Sequence, residues 1–214
     1  MLVKERMTKN PVTIQVGASI AELSTLMKEN KLKKVPVLDG EKLVGIVTDK
    51  DVDRVSPSGA TLLSVFEISA LLAKTTVKDA MTKDVVTCTP DTYIEDAAIL
   101  MRQNKINALV VVEDEKVVGI ITESDMLSSL IAMLGGNTEG NQYIIETEDV
   151  PGVLNRVGGI THDMGINMNN FVFTQRTADG KAELLIKTSK DGRIKEVADA
   201  FRLAGFTVKQ ASVK

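Results

Sequence analysis

The feature that most constrains this chain is an internal duplication. Slid against itself by 74 positions, residues 3–51 align without a gap on residues 77–125, and about 20 of the aligned positions are identical. Val3-Lys4-Glu5-Arg6-Met7-Thr8-Lys9 matches Val77-Lys78-Asp79-Ala80-Met81-Thr82-Lys83. Leu26-Met27-Lys28-Glu29-Asn30-Lys31 matches Leu100-Met101-Arg102-Gln103-Asn104-Lys105, and Gly45-Ile46-Val47-Thr48 matches Gly119-Ile120-Ile121-Thr122, with Asp51 and Asp125 following in step. The first two thirds of the chain must therefore fold the same way twice.

Each copy reads as one string of elements. A short strand (12–14; 86–88) precedes a helix whose apolar positions Ile20, Leu23 and Met27 recur at helical spacing. A hairpin follows, with Val35-Pro36-Val37-Leu38 and Lys42 to Val47 joined by an expected turn at Asp39-Gly40. A second helix begins at Thr48 or Thr122, where Thr-x-x-Asp is an N-terminal capping pattern. Residues 56–61 have turn composition, and 62–74 reads as a connecting helix. Residues 135–141, Gly-Gly-Asn-Thr-Glu-Gly-Asn, contain no apolar side chain and read as a flexible linker.

Residues 142–214 differ from both copies. Strand 142–146, an amphipathic helix over 151–164, strands 166–175 and 181–188, a helix over 193–204 and strand 206–212 give the order βαββαβ, a ferredoxin-like arrangement. The expected hairpin turn is Thr177-Ala178-Asp179-Gly180, and Gly205 closes the last helix. The organisation expected is thus 1–60, a connecting helix 61–76, 77–134, a linker 135–141 and 142–214, all of class α+β.

Composition narrows the chemistry. No uninterrupted apolar run exceeds five residues, whereas a membrane-spanning helix needs roughly 20. The N-terminus lacks the basic start and apolar block of a secretory signal, and one cysteine permits no internal disulfide, so a cytoplasmic location is expected. A net charge of −3, no Trp, two Tyr and five Phe argue against nucleic acid as a partner. One Cys and one His exclude a Cys/His zinc cluster, and no P-loop, nucleophile elbow or acid/base pair is found. No metal, no cofactor and no catalytic residue is expected. Cys88 reads as a small buried thiol and His162 as facing solvent.

Met-Thr near the start of each copy, Val35-Pro36-Val37, and Gly-Ile-Val/Ile-Thr-x-x-Asp resemble a pair of CBS domains, a Bateman module. The resemblance covers residues 1 to about 134. It implies two βαββα-type units packed with pseudo-twofold symmetry around two clefts that hold adenosine compounds such as AMP, ADP, ATP or S-adenosylmethionine. On this reading the first site comprises Thr13, Lys34, Val35, Pro36, Thr48 and Asp51, and the second Thr87, Ala108, Leu109, Val110, Thr122 and Asp125. A helix N-terminus offers N–H groups and positive potential to phosphate, with the Thr hydroxyl beside it. Asp51 or Asp125, one turn later, would accept the ribose hydroxyls. Lys33 and Lys34 would neutralise phosphate, while Asn107, Ala108 and Val110 replace the basic pair and the proline, so the second site is expected to hold phosphate less well.

Asp149-Val150-Pro151-Gly152-Val153-Leu154 with Met164-Gly165-Ile166-Asn167 resembles an ACT domain. That family implies an amino-acid ligand at an interface between copies, with Asp149 toward its ammonium, Gly152, Val153 and Leu154 toward its carboxylate, and Asn167 completing the set. The same residues also serve as a helix start without any ligand. The function expected is a non-catalytic regulatory sensor of an adenine nucleotide and of an amino acid, assembled as a homodimer and acting on an unknown protein partner. The alternative is an interaction module with degenerate sites.

Overall fold

A computed structural model describes residues 1–56, 64–176 and 180–213. The turn expected at 56–61 (beyond Ser56), the first residues of the connecting helix and turn residues 177–179 lie outside the described residues. The chain divides into two compact units, Met1–Met126 and Leu127–Lys214.

In the first copy a 3-10 turn (Val3–Glu5) and β1 (Thr8–Lys9) lead to β2 (Ile14–Gln15), α1 (Ile20–Glu29), β3 (Lys34–Asp39), β4 (Lys42–Thr48) and α2 (Asp49–Val55). α3 (Val65–Lys74) connects to α4 (Val77–Ala80), β5 (Thr87–Cys88), α5 (Ile94–Asn104), β6 (Ala108–Glu113), β7 (Lys116–Thr122) and α6 (Glu123–Met133). α1 starts where Ser19 and Glu22 form a reciprocal capping box, and it buries Ile20, Leu23 and Met27. The short strand sits one to two residues later than expected in the first copy, because Ile14 and Gln15 are the residues in register with Val37 and Leu38. The hairpin loop is Gly40-Glu41 rather than Asp39-Gly40, since Asp39 still pairs with Lys42 and Gly40 takes the positive φ of 64°. In the second copy Asp114 and Glu115 adopt positive φ without any glycine.

The two copies are interlocked. β1 of the first copy pairs with β7 of the second, Thr8 opposite Ile120, while Thr82 of the second copy bridges Ile46 of the first. Val3 is buried in the second copy's core with Leu109, Val111 and Ile121, whereas Val77 and Ala80 are buried in the first copy's core with Val35, Val37 and Val47. Each leading segment thus completes the other copy, and each buried valine contributes roughly 1.5–3 kcal/mol across that boundary. The paired glycines explain how the chains pass. A Cβ on Gly119 would run into the Met7 sulfur, and one on Gly45 into the Met81 sulfur.

The second unit contains β8 (Asn141–Glu148), α7 (Val153–Asp163), β9 (Met168–Arg176), β10 (Lys181–Thr188), α8 (Ile194–Leu203) and β11 (Thr207–Val213). Its four strands are antiparallel in the order β11-β8-β10-β9. One face packs Tyr143, Ile145, Leu184 and Ile186 against Val153 and Val157 of α7 and Val197 and Phe201 of α8. Across three of the strands, Lys209 binds Glu146 at 2.7 Å and Glu183 at 3.0 Å, and Lys181 reaches Glu146 at 3.4 Å. The glycine-rich segment expected as a free linker is held instead. The buried ammonium of Lys187 donates to the Gly135 carbonyl at 2.8 Å, a Cβ on Gly140 would meet the Thr188 carbonyl, and the division between units falls inside α6.

Gly45→Val should lower stability in urea unfolding by about 1–3 kcal/mol through overpacking against Met81, and Met81→Ala in the same chain should recover part of that loss. The acid side is equally specific. Lys209 holds Glu146 and Glu183 below the ordinary glutamate value of 4.5, so the folded state is favoured above that pH and the contribution fades as pH falls below it. Lys209→Ala should therefore flatten the decline of the melting temperature below pH 4.5.

Candidate functional site

Two clefts open where the copies meet, and each takes its walls from both. The larger, with a volume of about 930 Å³, is bounded by Thr82, Val85 and Val86, by Met101 and Lys105 at the end of α5, and by Asn107 and Ala108. Ile46, Thr48, Asp49 and Lys50 of the first copy close it, with Glu123 and Met126. The smaller, about 330 Å³, repeats the pattern with the copies exchanged: Thr8, Asn10, Pro11 and Val12, then Lys31 to Lys34, closed by Ile120, Thr122 and Ser124. The first volume accommodates a nucleotide-sized ligand.

The expected site residues divide on this geometry. Thr48, Lys34 and Ala108 share the larger cleft, and Thr122 and Lys34 share the smaller. The clefts cut across the grouping by copy: Lys34 and Thr48 share the larger with Ala108 of the other copy, and Thr122 shares the smaller with Lys34. Val35, Pro36, Leu109 and Val110 line neither cleft; they are buried in their strands. Thr13 is half-buried and Thr87 exposed, both outside the cleft walls.

Asp51 and Asp125 also lie behind the walls, for a local reason. The Thr48 backbone N–H and hydroxyl donate to Asp51 Oδ2 at 3.0 and 2.7 Å, and the Asp51 N–H donates back to Thr48 Oγ1. Oδ1 takes the Arg54 guanidinium at 3.0 Å, leaving the side chain 13% exposed. Thr122 and Asp125 repeat the reciprocal cap. The helix end is not an open anion site. At the start of α2 the Asp49 N–H donates to the Lys33 carbonyl, the Lys50 N–H to Asp49 Oδ1, and the Asp51 N–H to Thr48. The start of α2 offers an anion in this cleft no free N–H from its first three residues.

Cationic side chains are present, and most were not legible in the sequence. Lys33, Lys34, Lys50, Arg102 and Lys105 all line the larger cleft, so Asn107 and Ala108 do not leave it short of cations. Among the described residues Lys33, Lys50, Arg102 and Lys105 form no ion pair. Lys34 is half-buried and points its ammonium to the Asn107 carbonyl at 3.5 Å. Burial pulls it below the ordinary lysine value, Asp49 and Glu123 oppose that, Lys33 adds to it, and Asp125 again opposes it. A signal for Lys105 did exist. Lys31 and Lys105, identical in both copies, each hold φ near 54°, a left-handed position that favours glycine or asparagine after a helix. They line opposite clefts.

A family model for the CBS domain matches residues 3–58 and 77–132, more than half of the chain. The chain belongs to the CBS-domain family. An uncharacterized protein of Methanocaldococcus jannaschii is 33% identical over 155 residues, covering 61% of this chain and 92% of its own. Inosine-5'-monophosphate dehydrogenase of the same organism is 36% identical over 58% of this chain, which spans only 22% of that enzyme. Among solved structures, one described as an acetoin utilization protein, AcuB, from Vibrio cholerae matches 64% of this chain and 95% of its own at TM-score 0.52 and 30% identity. The CBS domain pair of protein MJ0100, in complex with 5'-methylthioadenosine and S-adenosyl-L-methionine, matches at TM-score 0.51 and 30% identity over 64% of this chain and 98% of its own. CBSX2 in complex with AMP matches at 0.53 and 26%, over 62% and 97%.

In the second unit, Asp149 forms an ion pair with Arg176 at 2.9 Å, and that guanidinium also covers the Phe173 ring. Gly152, at φ 93°, caps α7; Val153 is buried and Leu154 half-exposed. Asn167 is exposed and donates to Asn169 Oδ1 at 3.1 Å. The carboxylate expected to meet an ammonium is thus already paired with a cation. Cys88 is buried, which pushes its thiol up to about 11, and His162 is exposed. Among the described residues no group of His, Cys, Asp and Glu could hold a metal ion, and no helix is long and apolar enough to cross a membrane.

Asp51→Ala removes one cap and the Arg54 pair without touching the cleft wall. It should lower stability by roughly 1 kcal/mol in chemical unfolding.

Proposed function

We propose that this chain is a non-catalytic ligand sensor whose CBS pair binds an adenosine compound in the larger cleft. The observation that carries the reading is the composition of that cleft: Ile46, Val85, Val86, Met101, Ala108 and Met126 lining it together with five cations and three carboxylates. The apolar side chains suit a purine face, the Thr48 hydroxyl a ribose or phosphate oxygen, and Arg102 and Lys105 the far end of a phosphate chain. The adenosine ligands named for the MJ0100 and CBSX2 structures support the choice of ligand class. Asp51 then acts mainly by fixing Thr48; contact with ribose requires Arg54 to release it. The adenosine compound is a regulatory ligand, and no cofactor is invoked.

The second unit is read as an ACT-type, ferredoxin-like domain, on its βαββαβ order and the Asp149-x-Pro-Gly start. An amino acid there would exchange its ammonium for Arg176 at Asp149. The similarity to AcuB is one of architecture in the CBS pair, and a role in acetoin utilization is not assigned. A second reading, a protein-interaction module, draws on the exposed apolar side chains of α3 and α6, with Phe66 86%, Leu127 58% and Leu130 47% exposed. A homodimer through these helices fits either reading.

A thermal-shift panel of AMP, ADP, ATP, S-adenosylmethionine, 5'-methylthioadenosine and single amino acids tests this. An adenosine compound at ~100 times its Kd should add about 2.7 kcal/mol and raise the melting temperature by several degrees. Arg102→Glu with Lys105→Glu should shrink the ATP shift and spare that of 5'-methylthioadenosine. No shift from any adenosine compound transfers the assignment to the interaction module.

A further inference from the structure

Pseudo-twofold symmetry gives each cleft its own copy of many wall residues, but one pair is lent to both. Lys33 and Lys34 line both clefts, whereas their counterparts Asn107 and Ala108 line only the larger one. The smaller cleft has Lys31, Lys33 and Lys34 as its cations and no carboxylate among its lining residues; the larger adds Lys50, Arg102 and Lys105 but also Asp49, Asp84 and Glu123. The smaller cleft therefore depends on the shared lysines far more than the larger does.

We propose that the two clefts compete for Lys33 and Lys34, so that an anionic adenosine ligand in one weakens the binding of an anionic ligand in the other, while an uncharged adenosine ligand leaves the other cleft unaffected. The inference rests on the adenosine reading above and concerns its regulation. Lys34 lines both clefts with one ammonium, whose single charge is divided if two phosphates approach it, and its flexible four-carbon stem lets that charge move toward either cleft. In the structure that ammonium lies against a neutral carbonyl, Asn107, rather than a carboxylate, so a phosphate on either side has no ion pair to break. Burial of Lys34 raises the gain from acquiring a counter-charge and with it the loss when that charge is withdrawn. Coupling of this kind is reciprocal by linkage: each ligand weakens the other by the same factor.

Isothermal titration of the full chain with AMP and, separately, with 5'-methylthioadenosine tests the proposal. Because the clefts differ, AMP is expected to bind in two steps in any case, and the competition shows as a separation roughly tenfold wider in the wild type than in Lys34→Gln, within the usual range of coupling between sites. 5'-Methylthioadenosine is expected to fill two sites without that widening. Lys34→Gln, which keeps most of the stem, should bring the two AMP steps closer together and leave 5'-methylthioadenosine unchanged; Lys33→Ala, on an exposed side chain, should narrow the gap in the same direction. A single AMP step in the wild type that becomes two in Lys34→Gln is the same coupling at its strongest. Equal AMP sites in the wild type, or one AMP site or an undiminished separation in both variants, overturns the competition while leaving the adenosine reading standing. No heat with either compound overturns the adenosine reading and the competition with it.

Discussion

The crossing of the two leading segments is the constraint on which the first unit depends. Each carries a Val-Lys-x-x-Met-Thr motif away from its own hairpin and onto the other copy's, where the methionine sulfur occupies the space over a glycine that no side chain could share. The strands behind that glycine are held by the same exchange, through Thr8 opposite Ile120 and Thr82 opposite Ile46. Neither hairpin closes its core alone. Val3 fills a cavity among second-copy residues, and Val77 fills one among first-copy residues, so unfolding either copy strips the other of a buried side chain. Cooperativity between the halves follows from topology rather than from a large flat interface.

The clefts are a consequence of that exchange. Because Thr8 to Val12 and Thr82 to Val86 run across the partner hairpin, each cleft has one wall from the segment that crosses and one from the strand and helix start it crosses over. A ligand in either cleft touches both copies, and its binding energy bears on their relative placement. The reciprocal caps make the helix starts rigid parts of those walls. Thr48 and Thr122 cannot turn freely, since each hydroxyl is engaged by the carboxylate three residues on.

Much of this was legible in the sequence because it is local. The capping boxes, the helical spacing of Ile20, Leu23 and Met27, the paired strands of each hairpin and the βαββαβ order of the second unit depend on residues within one element or its neighbour. What was not legible depends on contacts at long range in the chain. The identity of Met7 with Met81 and of Gly45 with Gly119 is visible in the repeat, but periodicity does not say that Met7 sits on Gly119 and Met81 on Gly45. That each cleft draws residues from both copies was hidden for the same reason. Residues 135–141 read as a linker because they lack apolar side chains, yet what holds the segment is polar: a buried lysine on β10 reaching a glycine carbonyl 52 residues away. Composition alone cannot distinguish a segment solvated by water from one solvated by protein.

The capping threonines also decide how charge is recognised. In a helix start with free N–H groups, an anion gains backbone hydrogen bonds and is selected by its shape. At α2 the first three N–H groups are already used by Lys33, Asp49 and Thr48, so the charge that the larger cleft presents to an anion is that of lysine and arginine on flexible stems. Such groups respond to the number of negative charges more than to their arrangement. They are also shared wherever a stem reaches two sides, as at Lys34. On the proposed reading, a cleft built this way discriminates ligands by charge, with the apolar side chains holding the base and the cations counting the phosphates. The caps that stabilise the fold therefore also take the helix starts out of anion recognition and leave its charge to side chains, two of which, Lys33 and Lys34, line both clefts.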